Sequence, residues 1–144
     1  MKLLIDSNVV LDYLGANQGF SNEAGQIFEL AINRKAIELV SASSITDIYY
    51  VLRRAFKDRD VALEKLKDIR TVIGILPVTE TDIDHAIRRN WRDFEDAVQY
   101  SVAESNGVDF IISRDEKGFE EKTIPCYSPN EFLRLISNGI ISVE

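Results

Sequence analysis

The sequence has few of the residues that build disulfides or zinc sites. Its 144 residues include one cysteine, Cys126, and one histidine. A single cysteine cannot form an intramolecular disulfide, and one cysteine with one histidine excludes a zinc site of the usual Cys/His type. A metal bound by this chain would therefore have carboxylate ligands, which favours magnesium or manganese.

Long apolar runs are absent as well. Asp, Lys or Arg interrupts every hydrophobic run before it reaches the roughly 20 residues that cross a bilayer, so we expect no membrane-spanning segment. The chain passes from Met1 and Lys2 directly into a short strand-like run, without the longer apolar core of a signal peptide. We therefore expect a cytoplasmic protein.

Positive charge is in deficit, because 17 Lys and Arg residues face 24 Asp and Glu residues and leave a net charge of −7. Affinity for nucleic acids in general comes from Lys and Arg that neutralise phosphates, so this composition disfavours a general polyanion-binding module. A nuclease remains compatible with it. Acids that hold metal ions make a site locally acidic until the ions bind and reverse its sign.

Short apolar runs rich in β-branched residues alternate with longer stretches of helical periodicity. The runs predict strands over residues 3–5, 37–40, 73–78, 110–112 and 124–127. The longer stretches predict helices over residues 8–14, 22–33, 43–57, 61–72, 81–90, 94–106 and 130–136. This alternation predicts an α/β fold, with a central, mainly parallel sheet of about five strands between two helical layers. With no linker or repeat, residues 1–144 form a single predicted domain.

Four acids stand where such a sheet would bring them to one edge. Asp6 and Asp115 follow the first and fourth predicted strands, and Asp47 and Asp96 fall in the first turns of helices that begin at the same edge. Each acid alone has an ordinary alternative. Asp6 suits a helix cap, Asp96 suits a helix start capped by Asp93, and Asp115 suits a turn.

Asp47 lies off the apolar stripe of its predicted helix and shares one flank with Tyr50 and Arg54. Two interpretations stay open. The flank is either a solvated face with a modest charge pair, or the wall of a site in which Asp47 faces a metal and Arg54 faces a phosphate.

Four blocks of the chain resemble the PIN domain, a family of metal-dependent nucleases that includes the VapC toxins of bacterial and archaeal toxin–antitoxin pairs. The blocks are "LLIDSNVVLDYL", "VSASSITDIYYVL", "DFEDAVQYSVAESNGVDFIISRDEKGF" and "IPCYSPNEFL". The third block is the most specific, because it combines an acid, a helix of small residues, an apolar strand and the tripeptide S-R-D. Together the blocks cover nearly the whole chain.

The resemblance implies a site for Mg²⁺ or Mn²⁺ formed by an acidic quartet, and it assigns supporting roles to three further residues. The quartet, catalytic and metal-binding, is Asp6, Asp47, Asp96 and Asp115; the supporting residues are Asn8, Ser113 and Asp12. Many members have Glu at the second acidic position, so the shorter Asp47 is a departure. Asp12, inside the first predicted helix, is expected either to support the site from outside or to have a structural role, and Asp93 and Glu95 are interpreted as helix-start acids.

The resemblance further implies a ribonuclease that hydrolyses RNA phosphodiester bonds, a cognate antitoxin as partner and a homodimer. The candidate phosphate contacts are two basic clusters, whose alternative role is that of ordinary solvated helix faces. The first contains Arg53, Arg54, Lys57 and Arg59, and the second contains Arg88, Arg89 and Arg92. Tyr50 and Tyr100 are candidates either for stacking on a base or for packing.

Other functions compete with this interpretation. A haloacid-dehalogenase-like phosphatase requires a second Asp two residues after the first, and Asn8 occupies that position. A receiver domain requires an acidic pair near Asp6 and a lysine after the last strand, and neither is evident. A catalytically silent PIN-like domain that binds RNA or protein remains the alternative, and the apolar "NGIISVE" tail is a candidate dimer contact.

Overall fold

A computed structural model of the chain, described here over residues 1–143, has a five-stranded sheet in the order β3-β2-β1-β4-β5. The strands are β1 (Lys2–Ile5), β2 (Ile37–Ser41), β3 (Gly74–Leu76), β4 (Phe110–Ile112) and β5 (Cys126–Tyr127). All four strand pairs are parallel, and β1 lies in the centre with Leu4 beside Leu39 on one side and Ile111 on the other. The predicted parallel sheet is therefore confirmed.

Seven α-helices connect and flank these strands. They are α1 (Ser7–Tyr13), α2 (Ser21–Ile32), α3 (Ala42–Phe56), α4 (Arg59–Arg70), α5 (Glu80–Arg89), α6 (Phe94–Ser105) and α7 (Pro129–Ser137). Two short 3-10 helices lie at Gln18–Phe20 and Glu116–Gly118. No helix within residues 1–143 is long and apolar enough to cross a membrane.

The sheet carries helices on both faces because its central strands are apolar in both directions. Leu3 and Ile5 pack into a large cluster with residues of α1, α2, α3, α4 and α7, including Phe28. Leu4 faces the opposite side and packs with Tyr100 of α6, while α5 packs along α6. The predicted three-layer arrangement is confirmed.

Several predicted boundaries differ from those of the structure, and local hydrogen bonding explains two of the differences. The helix predicted over residues 61–72 begins earlier, at Arg59, because Asp58 is the N-cap and its carboxylate accepts bonds from the backbone N–H groups of Asp60 and Val61. The last strand begins at Cys126 rather than at residue 124. Pro125 directly before it has no N–H to donate to a ladder.

Candidate metal centre

The acids collect outside the carboxyl ends of the adjacent strands β1 and β4. The chain continues from β1 to one face of the sheet and from β4 to the other. Asp6 directly follows β1 and caps α1 by accepting a 2.7 Å bond from the backbone N–H of Ser7. The hydroxyl of Ser113, directly after β4, donates to Asp6 Oδ2 at 2.6 Å. Asp6 is therefore both a helix cap and a nearly buried carboxylate that faces the gap between the two strands.

The start of α6 supplies the next two acids. Asp93 is the N-cap and accepts a 3.0 Å bond from the backbone N–H of Asp96, as predicted for a helix-start acid. One carboxylate oxygen from each of Asp93, Asp96 and Asp115 lies within 4.8 Å of the other two. Asp96 and Asp115 belong to the predicted quartet. Asp93, predicted only as a helix-start acid, lies with them.

Gln99 links this group to Asp6. Its side-chain nitrogen lies 3.1 Å from Asp6 Oδ1 and 3.5 Å from Asp96 Oδ1. Gln99 is buried on α6, one turn after Asp96, so both acids meet the same amide. Sequence reasoning missed Gln99 because a neutral residue in a helix of small side chains carries no sign of such contacts.

The protonation of Asp96 reflects this crowding. Burial contributes most and the nearby carboxylates add to it, and together they raise the pKa of Asp96 to about 8. The neighbouring acids are Asp6, Asp93, Asp115 and Glu95. A group of carboxylates in this condition is held together either by protons or by a cation.

Asp47 approaches the group from α3 and meets Glu95. Partial desolvation, a hydrogen bond to the Asp47 carboxylate and the charges of Asp47, Asp93 and Asp6 raise the pKa of Glu95 to about 7. Asp47 is exposed, so it lies on the solvent side of the acids. Glu95, interpreted from the sequence as a helix-start acid, thus contacts Asp47 and is close enough to Asp93 and Asp6 to feel their charges.

The two residues expected to give polar support lie between β1 and β4. Asn8 Nδ2 is 3.5 Å from both Asp6 Oδ2 and Ser113 Oγ, and its Oδ1 accepts from the backbone N–H of Arg114 at 3.3 Å. Ser113 Oγ also accepts from the backbone N–H of Asp115 at 3.0 Å. These bonds fix the two strand ends, and with them Asp6 and Asp115, relative to each other.

Asp12 is buried and bound elsewhere. Its carboxylate accepts two hydrogen bonds from the Arg114 guanidinium, Nε to Oδ2 at 2.6 Å and Nη2 to Oδ1 at 3.2 Å. Asp12 is therefore connected to the acids through Arg114, whose backbone N–H donates to Asn8. Arg114 itself was missed, although its place in the S-R-D tripeptide between two site residues was a usable signal.

Gly118 makes room for the acids. A β-carbon at this position would overlap Asp96 Oδ2 and would lie 3.4 Å from Asp115 Oδ2. The backbone of the Glu116–Gly118 helix thus passes directly over the carboxylates. An all-oxygen donor set, crowded, partly buried and mutually repelling, fits a hard divalent cation.

Comparison with known proteins identifies the family. A family model described as "PIN domain" matches residues 2–117. The chain belongs to the PIN domain family. "Ribonuclease VapC1" of Aquifex aeolicus (strain VF5) is 29% identical over 136 residues, which cover 91% of this PIN domain and 92% of that protein.

Solved structures share the fold at low identity. The toxin–antitoxin complex from Klebsiella pneumoniae matches with a TM-score of 0.65 and 17% identity, over 88% of this PIN domain and 97% of that chain. VapC20 of Mycobacterium tuberculosis, described as a sarcin-ricin loop cleaving toxin, matches with a TM-score of 0.61 and 16% identity. The match covers 76% of this PIN domain and 86% of the VapC20 chain. At these identities the structural likeness supports the fold alone.

The basic residues that could contact phosphate lie on two parts of the surface. Arg53, Arg54 and Lys57 are exposed at the C-terminal end of α3, beyond Asp47, and Arg53 donates to the Tyr49 hydroxyl at 3.3 Å. Arg92 and Lys117 line a cleft of about 540 Å³ beside Asp93 and Asp115. These two cations therefore share a cleft with two of the acids.

Arg89 follows neither of its two predicted roles. Its guanidinium is largely buried, with ion pairs of 2.9 Å to both Glu104 and Glu121, and donates to Ser101 at 3.1 Å. It also lies over the Tyr100 ring, 4.6 Å from the centroid. Arg89 is thus a packing residue, and the fully buried Tyr100 packs rather than stacking on a base.

Proposed function

We propose that this PIN domain is a metal-dependent ribonuclease that hydrolyses RNA phosphodiester bonds and acts as the toxin of a toxin–antitoxin pair. The observation that carries the proposal is the oxygen cluster of Asp93, Asp96 and Asp115 within 4.8 Å, joined to Asp6 through Gln99. The name of the Aquifex relative, a ribonuclease, and the description of VapC20 as a sarcin-ricin loop cleaving toxin support RNA as the substrate.

The ligands we propose for Mg²⁺ or Mn²⁺ are Asp6, Asp96 and Asp115, with Asp93 beside them and Asp47 at the outer side. A divalent cation held by these carboxylates would supply activation of a water molecule and stabilisation of the charge on the phosphoryl group and the leaving oxygen. Asn8, Ser113 and Gln99 hold the carboxylates in place through the bonds described above. Glu95, whose pKa is raised to about 7, is partly protonated near neutral pH at the Asp47 side of the site.

Arg92 and Lys117 are the phosphate contacts that the geometry favours, because they share the cleft with Asp93 and Asp115. In a chain of net charge −7, two cations beside the acids offer the RNA backbone a local attraction. Arg53, Arg54 and Lys57 would contact RNA further along α3. The other function, a catalytically silent binding module, is not favoured, since all four acidic positions are filled.

A cognate antitoxin and a homodimer complete the proposal. The antitoxin is supported by the Klebsiella structure, which is a toxin–antitoxin complex, and the dimer rests on the family resemblance. Exposed Ile140 keeps the "NGIISVE" tail a candidate contact, whose last residue, Glu144, lies outside the described residues. Sedimentation velocity of the purified chain tests the dimer, and a single monomeric species would exclude it.

The ribonuclease activity is tested with a fluorescently labelled single-stranded RNA. We expect cleavage in Mn²⁺ or Mg²⁺, none in EDTA, and a loss of about 100-fold or more in Asp96→Asn, since an amide is a neutral and poorer ligand. Asp68→Asn is the matched control, because Asp68 is exposed on α4, and it should cleave normally. Equal cleavage by Asp96→Asn and the native chain would overturn the proposal.

The toxin role needs a cellular test. Induced expression in bacteria should arrest growth with the native chain and not with Asp96→Asn at equal protein level. The product of the neighbouring reading frame should bind the native chain and restore growth. Growth unaffected by an active ribonuclease would leave the enzyme activity in place and exclude the toxin role.

A further inference from the structure

A cleft of about 420 Å³ opens at the same edge of the sheet as the acids, on the side of α1, α2 and α7. It is separate from the cleft that contains Arg92 and Lys117. Its walls come from the start of α2, the residue before Asp115 and the start of α7. The lining includes Phe20, Glu23, Arg114, Ser128 and Asn130, with Asp12 behind them.

A stacked pair of side chains, Phe20 and Arg114, forms one wall of this cleft. The Arg114 guanidinium lies over the Phe20 ring, 4.1 Å from its centroid, and the buried Asp12 carboxylate fixes it from behind. Phe20 is 47% exposed and Arg114 keeps 30% of its side chain exposed, so both remain accessible. An aromatic ring and a planar guanidinium, already oriented, are the groups on which proteins stack unpaired bases.

The cleft is coupled to the acids through the backbone. Arg114 directly precedes Asp115, and its N–H donates to Asn8, which in turn contacts Asp6. The cleft and the acids are therefore built on consecutive residues after β4. On an RNA strand with a phosphate at the acids, a neighbouring base is the group that would enter this cleft.

The charge of the cleft selects among nucleic-acid groups. Asp12 neutralises Arg114, and Glu23 leaves the lining net negative, so a phosphate is poorly suited to it. A neutral heterocycle whose edge donates hydrogen bonds is well suited. Guanine is the base whose Watson–Crick edge presents two adjacent donors, N1–H and the N2 amino group, to a carboxylate such as that of Glu23.

We propose that this cleft binds an unpaired base of the RNA substrate beside the scissile phosphate, stacked on an exposed face of the Phe20–Arg114 pair, and that Glu23 makes guanine the preferred base. The inference rests on the proposed ribonuclease function. It assigns sequence preference to residues outside the acidic centre, on the loop and helix that follow α1.

Cleavage preference is the first test. The native chain is incubated with a randomised single-stranded RNA pool in Mn²⁺, and the ends of the products are sequenced. We expect enrichment of guanine at one position next to the cut, and a loss of that enrichment by about tenfold in Glu23→Gln, which replaces one acceptor by a donor. Glu29→Gln, an exposed position on the same helix, is the matched control and should keep the native preference.

Phe20→Leu separates stacking from edge recognition, because it removes the ring and keeps an apolar side chain. This variant should lower the cleavage rate whichever base lies next to the cut, and it should keep the preference for guanine over the other bases. A guanine preference unchanged by both Glu23→Gln and Phe20→Leu would overturn the proposal. So would variants that cleave normally but bind the antitoxin less tightly, since the cleft would then be a protein-docking surface.

Direct binding keeps this test independent of catalysis. In an NMR titration with 5′-GMP and 5′-UMP, GMP should shift the Phe20 ring and Arg114 side-chain signals at lower concentration than UMP, and Glu23→Gln should remove the difference. If the chain cleaves no RNA yet binds GMP in this way, the ribonuclease proposal fails and the base subsite stands. If RNA is cleaved and none of the mononucleotides shifts these signals, the subsite fails alone.

Discussion

The backbone of Gly118 lies so close to Asp96 that a β-carbon on residue 118 would overlap one oxygen of the Asp96 carboxylate. We therefore predict that Gly118→Ala displaces Asp96 and weakens Mn²⁺ binding by at least about tenfold, because carboxylate position decides coordination. Isothermal titration calorimetry with Mn²⁺ measures the effect. Gly25→Ala is the matched control, since a β-carbon there meets nothing within 4 Å. Native affinity in Gly118→Ala would contradict the placement of Asp96.

Glu38, at the other end of the sheet, is a buried acid whose two carboxylate oxygens have no hydrogen-bond partner among residues 1–143. Burial outweighs a backbone contact with Ala31 and raises the pKa of Glu38 from 4.5 to about 8. The folded chain thus keeps a proton that the unfolded chain has released, so this group's contribution to stability is full below pH 4.5 and is lost as pH rises through 8.

Glu38→Gln removes the titration and keeps the shape of the side chain. Between pH 6 and pH 9 the unfolding free energy of the native chain should fall relative to that of Glu38→Gln by about 2 to 3 kcal/mol. Urea denaturation of both proteins at each pH gives this difference. Parallel pH profiles for the two proteins would show that Glu38 has an ordinary pKa.

The buried pair of Asp12 and Arg114 should respond unequally to loss of either partner. Arg114→Gln leaves a carboxylate whose side chain is 1% exposed without its cation, and should cost about 3 kcal/mol or more of unfolding free energy. Asp12→Asn leaves a guanidinium that already reaches solvent, and should cost about 1 to 2 kcal/mol. Chemical denaturation of both variants and the double variant checks the order. The reverse order would show that the pair is solvated.

Arg89 and its neighbour Arg88 offer a test of buried against exposed guanidinium groups. Arg89→Lys cannot reproduce the fork that reaches Ser101, Glu104 and Glu121, so it should lower the unfolding free energy by about 1 to 3 kcal/mol. Arg88→Lys, at an exposed position one residue earlier, should change it by less than about 0.5 kcal/mol. Thermal unfolding followed by circular dichroism compares them. Equal melting temperatures of Arg89→Lys and Arg88→Lys would mean that the guanidinium contacts of Arg89 contribute nothing to stability.

The fold could be predicted because its signals are local. Apolar strands, capped helices and their alternation determine a parallel sheet, and a position directly after β1 is enough to bring Asp6 to the correct edge. The roles of Arg89 and Gly118 could not be predicted, since they depend on which distant side chains arrive beside them. The same holds for Glu95, whose contact with Asp47 joins helices 3 and 6 across the site.

The pairing of the central strand β1 with β4 also governs when the acids can assemble during synthesis. Asp6 leaves the ribosome early, but its partner Ser113 lies 107 residues further along the chain, and Asp115 comes later still. Until β4 has emerged and paired with β1, the growing polypeptide lacks Ser113, which hydrogen-bonds to Asp6. It also lacks Gly118, whose backbone lies against Asp96. Translation of this chain therefore proceeds with its acidic centre unassembled, and the complete centre forms only as the last part of the domain appears.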